Sequence, residues 1–129
     1  MIEASLIVPL RDEERYVERC LNSLLENNYP AEKYEIILVD GMSEDKTPEI
    51  LAEFAAKKSG IRILQNPRQI TSFGLNIGLR HAKGTYVFFI LAHVVYAPDY
   101  LSTAIALLNS GIADGVGAPF RTATDTPLR

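Results

Sequence analysis

Three short clusters in this 129-residue sequence carry the side chains best suited to holding a polar ligand. They are Pro9-Leu10-Arg11-Asp12-Glu13, Asp40-Gly41-Met42-Ser43 and Leu91-Ala92-His93. Each follows an apolar run, so each falls where a buried strand gives way to a loop. In open α/β sheets, ligands gather beyond the carboxyl ends of the strands, where strand order reverses. With strands ordered 3-2-1-4, the three loops form one rim and a single ligand can touch all of them. The common nucleotide signatures do not fit that rim. A G-x-G-x-x-G turn should follow the first strand, but PLRDEE stands there, and no G-K-[ST] phosphate loop occurs. Gly115-x-Gly117 is too short a match, and a phosphoacceptor regulator would place its aspartate after the third strand, whereas Asp40 follows the second.

The elements that must position these clusters alternate between strand and helix. Residues 4–9 (ASLIVP) and 34–39 (YEIILV) read as buried strands, as do 61–64 and 85–91 (TYVFFIL), the last apolar throughout and expected to be buried on both faces. Between the first two, Tyr16, Val17, Cys20, Leu21, Leu24 and Leu25 form one apolar helix face. Asp12 is placed to cap that helix, and Glu13 and Glu14 suit its dipole. Thr47-Pro48-Glu49 predicts a helix start with Thr47 as the capping hydroxyl, and Ile50, Leu51, Phe54 and Ala55 supply the inner face. Residues 72–83 read as a helix weakened by Gly74 and Gly78, residues 98–109 as another helix, and 113–120 as one more strand. The alternation predicts an α/β fold, a mainly parallel sheet covered by helices on both faces. Residues 121–129 are polar and aperiodic, like a cut through a loop of something longer.

Composition narrows the function. Apolar residues make up 47% of the chain, enough for one ordered core. With 13 basic and 16 acidic residues the net charge is -3, which excludes a broad nucleic-acid surface but not a nucleotide held in a pocket. One cysteine, Cys20, leaves no internal disulfide; on an apolar helix face it reads as core, not as a nucleophile. His81, late on a helix, reads as structural. The start MIEASLIVP lacks signal-peptide features, and residues 86–97 are too short to span a bilayer, so a cytoplasmic setting is expected.

The order of motifs resembles glycosyltransferase family 2, inverting enzymes with the Rossmann-like GT-A fold. That family opens with a strand ending P-x-x-N-E, then a helix, then a strand ending V-D-x-x-S-x-D-x-T. Here these read Pro9-Leu10-Arg11-Asp12-Glu13 and Val39-Asp40-Gly41-Met42-Ser43-Glu44-Asp45-Lys46-Thr47. Gly74-Leu75-Asn76-Ile77-Gly78 with Ala82-Lys83-Gly84-Thr85-Tyr86 is similar to the third block, and Ala92-His93 with Tyr96-x-Pro98-Asp99-Tyr100 to the branch that makes bacterial exopolysaccharides. The resemblance implies a nucleotide sugar as ligand, most often a UDP-sugar. It assigns Asp40 to the uracil or ribose and Glu13 to the nucleoside pocket, with Pro9 on the same strand end. Arg11, and more weakly Arg68, would neutralise phosphate. The plain alternatives are a turn aspartate before Gly41, a glutamate serving the helix dipole, and solvated arginines. Leu10 stands where many members carry a hydroxyl residue, which removes one nucleotide contact.

The family also implies a divalent metal, Mn²⁺ or Mg²⁺, held by D-x-D or D-x-H after the fourth strand. Here that tripeptide is Leu91-Ala92-His93, so one ligand is absent and His93 stands as the remaining candidate, or as a hydrogen-bonded structural histidine. An inverting transferase also needs a base for the acceptor hydroxyl. The resemblance puts that base well downstream, in the acceptor-binding half. Residues 1–129 are therefore expected to be the nucleotide-sugar-binding portion of a glycosyltransferase domain, inactive alone, from a parent that builds polysaccharide at the cytoplasmic face of a membrane. The alternative is a degenerate, non-catalytic nucleotide-binding or interaction module.

Overall fold

A computed structural model describes residues 1–111 and the short strand at 121–122. The elements run β1 (Ala4–Leu10), α1 (Val17–Leu25), β2 (Tyr34–Asp40), α2 (Thr47–Lys57), β3 (Ile61–Gln65), α3 (Thr71–His81), β4 (Tyr86–Phe89), β5 (Val94–Val95), α4 (Tyr100–Asn109) and β6 (Arg121–Thr122). Strands β1 to β4 form one parallel sheet in the order β3-β2-β1-β4, as expected. The expected strand over 113–120 lies outside the described residues. Within the tail read as aperiodic, β6 pairs antiparallel with β5.

Chain direction explains the layering. β1, β2 and β3 step outward in one direction, and right-handed crossovers put α1 and α2 on the same face. The step back from β3 to β4 puts α3 on the other. The larger core lies under α1, α2 and α4, where Leu6, Val8, Ile36 and Leu38 meet Val17, Leu21, Leu51, Leu101 and Ile105. The smaller one joins Ile7, Ile37 and Val39 to Leu75 and Ile77 under α3.

Gly74 and Gly78, which lower helix propensity, are what let α3 lie down. A Cβ on Gly78 would come within 2.4 Å of Ile7 Cγ2, and one on Gly74 within 3.2 Å of Pro9 Cβ. The strand expected to be buried on both faces is buried on one only: Phe88 and Ile90 are inside, while Val87 and Phe89 are exposed. The reason is width. A helix about 10 Å across covers roughly two strands spaced about 4.8 Å apart, and α3 sits over β1 and β2.

At the end of the sheet away from the rim, a buried carboxylate fixes the loop between α3 and β4. Glu35 accepts hydrogen bonds from Ser5 Oγ at 2.6 Å, Lys83 N–H at 2.7 Å and Arg62 Nη2 at 2.9 Å. Gly84 N–H donates in turn to Ser5 Oγ. Burial alone would raise the carboxyl's pKa, but these donors outweigh it and hold it below the ordinary glutamate value. The sign follows: this stabilisation is complete above the unfolded value of about 4.3 and is lost as pH falls through the lower folded one. Urea unfolding near pH 7 should show Glu35→Gln less stable by about 1.5–3 kcal/mol. That gap should narrow on acidification to about pH 3; a gap independent of pH would contradict the assignment.

Candidate functional site

The carboxyl ends of β1, β2 and β3 meet in a backbone arrangement with an unusual signature. Each following loop holds one non-glycine residue in the left-handed region: Asp12 (φ 53°), Met42 (φ 61°) and Gln69 (φ 64°). Such residues cost roughly 1–3 kcal/mol each and persist only where the surroundings dictate them. Gly41 lies where the loops converge: a Cβ there would sit 3.3 Å from Leu10 O, 3.4 Å from Arg11 Cβ and 3.5 Å from Gln69 Cα.

A clamp joins the two loops that hold Asp12 and Met42. The N–H groups of three successive residues, Asp12, Glu13 and Glu14, donate to Ser43 Oγ (2.9 Å), Thr47 Oγ1 (3.0 Å) and Asp45 Oδ2 (3.2 Å). Glu44 N–H returns a bond to Asp12 Oδ1 at 2.8 Å. Two sequence expectations change as a result. Asp12 does not cap α1, because its carboxylate takes the Glu44 N–H instead; α1 starts after Tyr16 with no side-chain cap. Thr47 does not cap α2 either. Its hydroxyl serves Glu13, and Asp45 Oδ1 accepts the Thr47 N–H at 2.8 Å. Burial opposes ionisation of Asp45, yet its hydrogen bonds with Thr47 and the Glu14 N–H hold its carboxyl below the ordinary aspartate value.

Asp40 closes β2 inside this clamp and is only 3% exposed. Its Oδ1 accepts from Ser43 Oγ at 2.6 Å and Ser43 N–H at 3.2 Å. Among the described residues Oδ2 has no protein donor, and it is not fully buried. Pro9 lies beside Val39 in the sheet and under Gly74 of α3. Arg11 donates Nε to Gly41 O at 3.0 Å, with its guanidinium 3.3 Å from Asp12 and 3.6 Å from Glu44. Arg68 stacks on the Phe73 ring at 4.6 Å, its N–H bound by Asn66 Oδ1. Buried Asn66 also donates Nδ2 to Ile70 O, and so shapes the whole β3–α3 loop. Sequence reasoning gave no role to Asn66, and none to Ser43 or Asp45 beyond their places in a motif. The available signal was the alternate spacing of Ser43, Asp45 and Thr47, which supplies acceptors to consecutive N–H groups.

The β4 side of the rim is built differently. β4 ends at Phe89, and residues 91–94 turn, with Val94 N–H on Leu91 O, instead of continuing as strand. Cys20 Sγ and Tyr96 Oη hold the turn through Leu91 O and Leu91 N–H. Burial pushes the Cys20 thiol up to about 12, so it is no nucleophile. Burial likewise pushes Tyr96 up to about 12. His93 Nδ1 lies 3.5 Å from Glu13 Oε2, which joins the first and third clusters. Leu91, 46% exposed, offers no donor. Among the described residues no three potential ligands cluster, and a hard divalent ion wants several oxygens; one imidazole and one carboxylate do not fit it. His81 Nδ1 lies 2.9 Å from Ile77 O within α3.

A parallel 3-2-1-4 sheet with helices on both faces agrees with the GT-A fold expected from the sequence. The family model for glycosyl transferase family 2 matches residues 5–128. The chain belongs to that family. Among curated relatives it is similar to the dolichyl N-acetyl-alpha-D-glucosaminyl phosphate 3-beta-D-2,3-diacetamido-2,3-dideoxy-beta-D-glucuronosyltransferase of Methanococcus voltae. The two are 33% identical over 103 residues, covering 78% of this chain and 32% of that protein. Among solved structures it is similar to S. aureus TarS 1-349 in complex with UDP, with TM-score 0.76, 26% identity, and 92% and 38% of the two chains covered. It is also similar to the mannosyltransferase PcManGT of Pyrobaculum calidifontis in complex with GDP-Man and Mn2+, with TM-score 0.78, 30% identity, and coverage of 82% and 32%. The chain thus spans about a third of the length of these relatives.

The clamp makes a direct demand on stability. Thr47→Val keeps the shape but leaves the Glu13 N–H without an acceptor, so urea unfolding should show a loss of about 1–3 kcal/mol. Thr47→Ser should recover most of it. Equal stability of the valine variant would mean that the clamp is not under tension.

Proposed function

We propose that residues 1–129 are the donor-binding half of an inverting glycosyltransferase and hold a nucleotide sugar, a UDP-sugar in particular. The observation that carries this is Asp40: a buried carboxylate at the carboxyl end of β2 with one oxygen satisfied and one open to a ligand. Asp40 takes the uracil or ribose, Pro9 and Glu13 line the nucleoside pocket, and Arg11 and Arg68 supply positive charge toward the diphosphate. In the whole enzyme an acceptor hydroxyl attacks the anomeric carbon from the face opposite the nucleotide. The bond from that carbon to the β-phosphate oxygen breaks, the nucleoside diphosphate leaves with the electron pair, and the hydroxyl proton passes to a base. The base belongs to the acceptor half, so residues 1–129 bind donor without transferring sugar. The parent works on a saccharide or lipid-linked acceptor in polysaccharide synthesis, at the cytoplasmic face of a membrane. Among the described residues no helix is long and apolar enough to cross one.

Leu91 favours a second reading, a non-catalytic nucleotide-binding or interaction module, because it stands where the family's metal carboxylate belongs. Family members use a metal to stabilise the leaving diphosphate, and His93 with Glu13 does not by itself fit one.

Two measurements test the reading. Titration with UDP should shift amide signals at residues 9–13 and 40–43, and Asp40→Ala should weaken binding roughly ten- to a hundredfold. Absence of shifts at millimolar UDP would leave a scaffold alone. In the second, Leu91→Asp should make UDP binding respond to Mn²⁺ through His93 and the new carboxylate. An unchanged Mn²⁺ response would remove this turn as the metal site, and sugar transfer by the unmodified chain would overturn the half-enzyme assignment.

A further inference from the structure

The misfit between the rim and a divalent ion extends well beyond Leu91. The clamp gathers the carboxylates of Asp12, Glu44 and Asp45, but the chain's own donors engage them. Asp12 takes the Glu44 N–H on one oxygen, and its other oxygen lies 3.3 Å from the Arg11 guanidinium. Glu44 lies 3.6 Å from the same guanidinium. Asp45 accepts the Thr47 N–H at 2.8 Å on one oxygen and the Glu14 N–H at 3.2 Å on the other. On the β4 side, Glu13 faces His93 at 3.5 Å. The backbone of the turn adds no ligand, because Leu91 O already accepts from Val94 N–H at 3.2 Å and Cys20 Sγ at 3.4 Å. What the turn presents instead is the Leu91 side chain, 46% exposed.

A divalent ion on a diphosphate fills its coordination sphere with oxygens from phosphate, water and carboxylate. Against Leu91 the hydrated side of such an ion would lose water and gain no ligand, which is unfavourable. A diphosphate without an ion needs only positive charge, and the rim holds some in reserve. Arg68 sits on the loop whose Gln69 Cα lies close to Gly41, with its guanidinium over the Phe73 ring at 4.6 Å. Among the described residues that guanidinium has no carboxylate partner. We propose that this chain's donor site takes the nucleoside diphosphate free of metal, so that divalent ions, which chelate the diphosphate in solution, compete with the site instead of assisting it. The inference rests on the nucleotide-sugar reading above, and it sets this chain apart from its solved relative in complex with GDP-Man and Mn2+.

The test uses the full chain and two probes. In calorimetric titration UDP should bind most tightly in EDTA, and enough Mn²⁺ to saturate the nucleotide should weaken the apparent affinity roughly threefold or more. Potassium chloride at matched ionic strength controls for screening of the arginines. In the second measurement, the electron paramagnetic resonance signal of free hydrated Mn²⁺ should be unchanged when the chain is added without nucleotide. Leu91→Asp supplies an oxygen ligand beside His93 and should reverse the sign, so that Mn²⁺ strengthens UDP binding. Strengthening by Mn²⁺ in the wild-type chain, or a loss of the free-ion signal on adding it, overturns the proposal and leaves donor binding intact. Equal affinity in EDTA and in Mn²⁺ overturns it as well, since the site would then be indifferent to the ion. Absence of UDP binding under both conditions removes the nucleotide-sugar reading and this inference with it.

Discussion

One buried, half-satisfied carboxylate sets the terms for this fold. Asp40 ends β2 beside the end of β1, and a buried carboxylate is tolerable only if donors are fixed around it. Ser43 supplies two of them. Ser43 is itself fixed by the Asp12 N–H, and its neighbours Asp45 and Thr47 take the next two N–H groups of the same loop. The loops after β1 and β2 therefore cannot relax independently. The left-handed residues Asp12 and Met42 are the conformational cost of that mutual commitment.

The remainder of the fold keeps this rim rigid. α1, α2 and α4 press on one face of the sheet and α3 on the other, and the close seat of α3 depends on Gly74 and Gly78. At the opposite end of the strands, Glu35 ties Ser5, Arg62 and the loop before β4 together. Two buried carboxylates thus serve different purposes. Glu35 is fully engaged and structural, whereas Asp40 keeps an oxygen in reserve.

Strand positions and their order were legible because apolar runs and right-handed crossovers leave few topologies open. The carboxylate at the end of β2 was legible for the same reason, since the order brings that strand end beside the end of β1. What escaped was tertiary. Asp12 and Thr47 have the residue types of helix caps, but each has a partner in another loop that local patterns do not display. The run ending in TYVFFIL looked buried on both faces because no sequence pattern says which strands a single helix will cover. Glu35 lay inside an apolar run, and only the fold brings it Ser5 and Arg62. Asn66 carries no motif at all, yet it shapes the loop that presents Arg68.

The most direct test of the central claim is a crystal structure of this chain with UDP bound. The account predicts the uracil N3 within about 2.7–3.2 Å of Asp40 Oδ2, with Oδ1 still held by Ser43. A base lodged instead in the cavity of about 200 Å³ between α1 and α2, lined by Glu18, Asn22, Phe54 and Lys57, would contradict it. So would a base that displaces Ser43 from Oδ1.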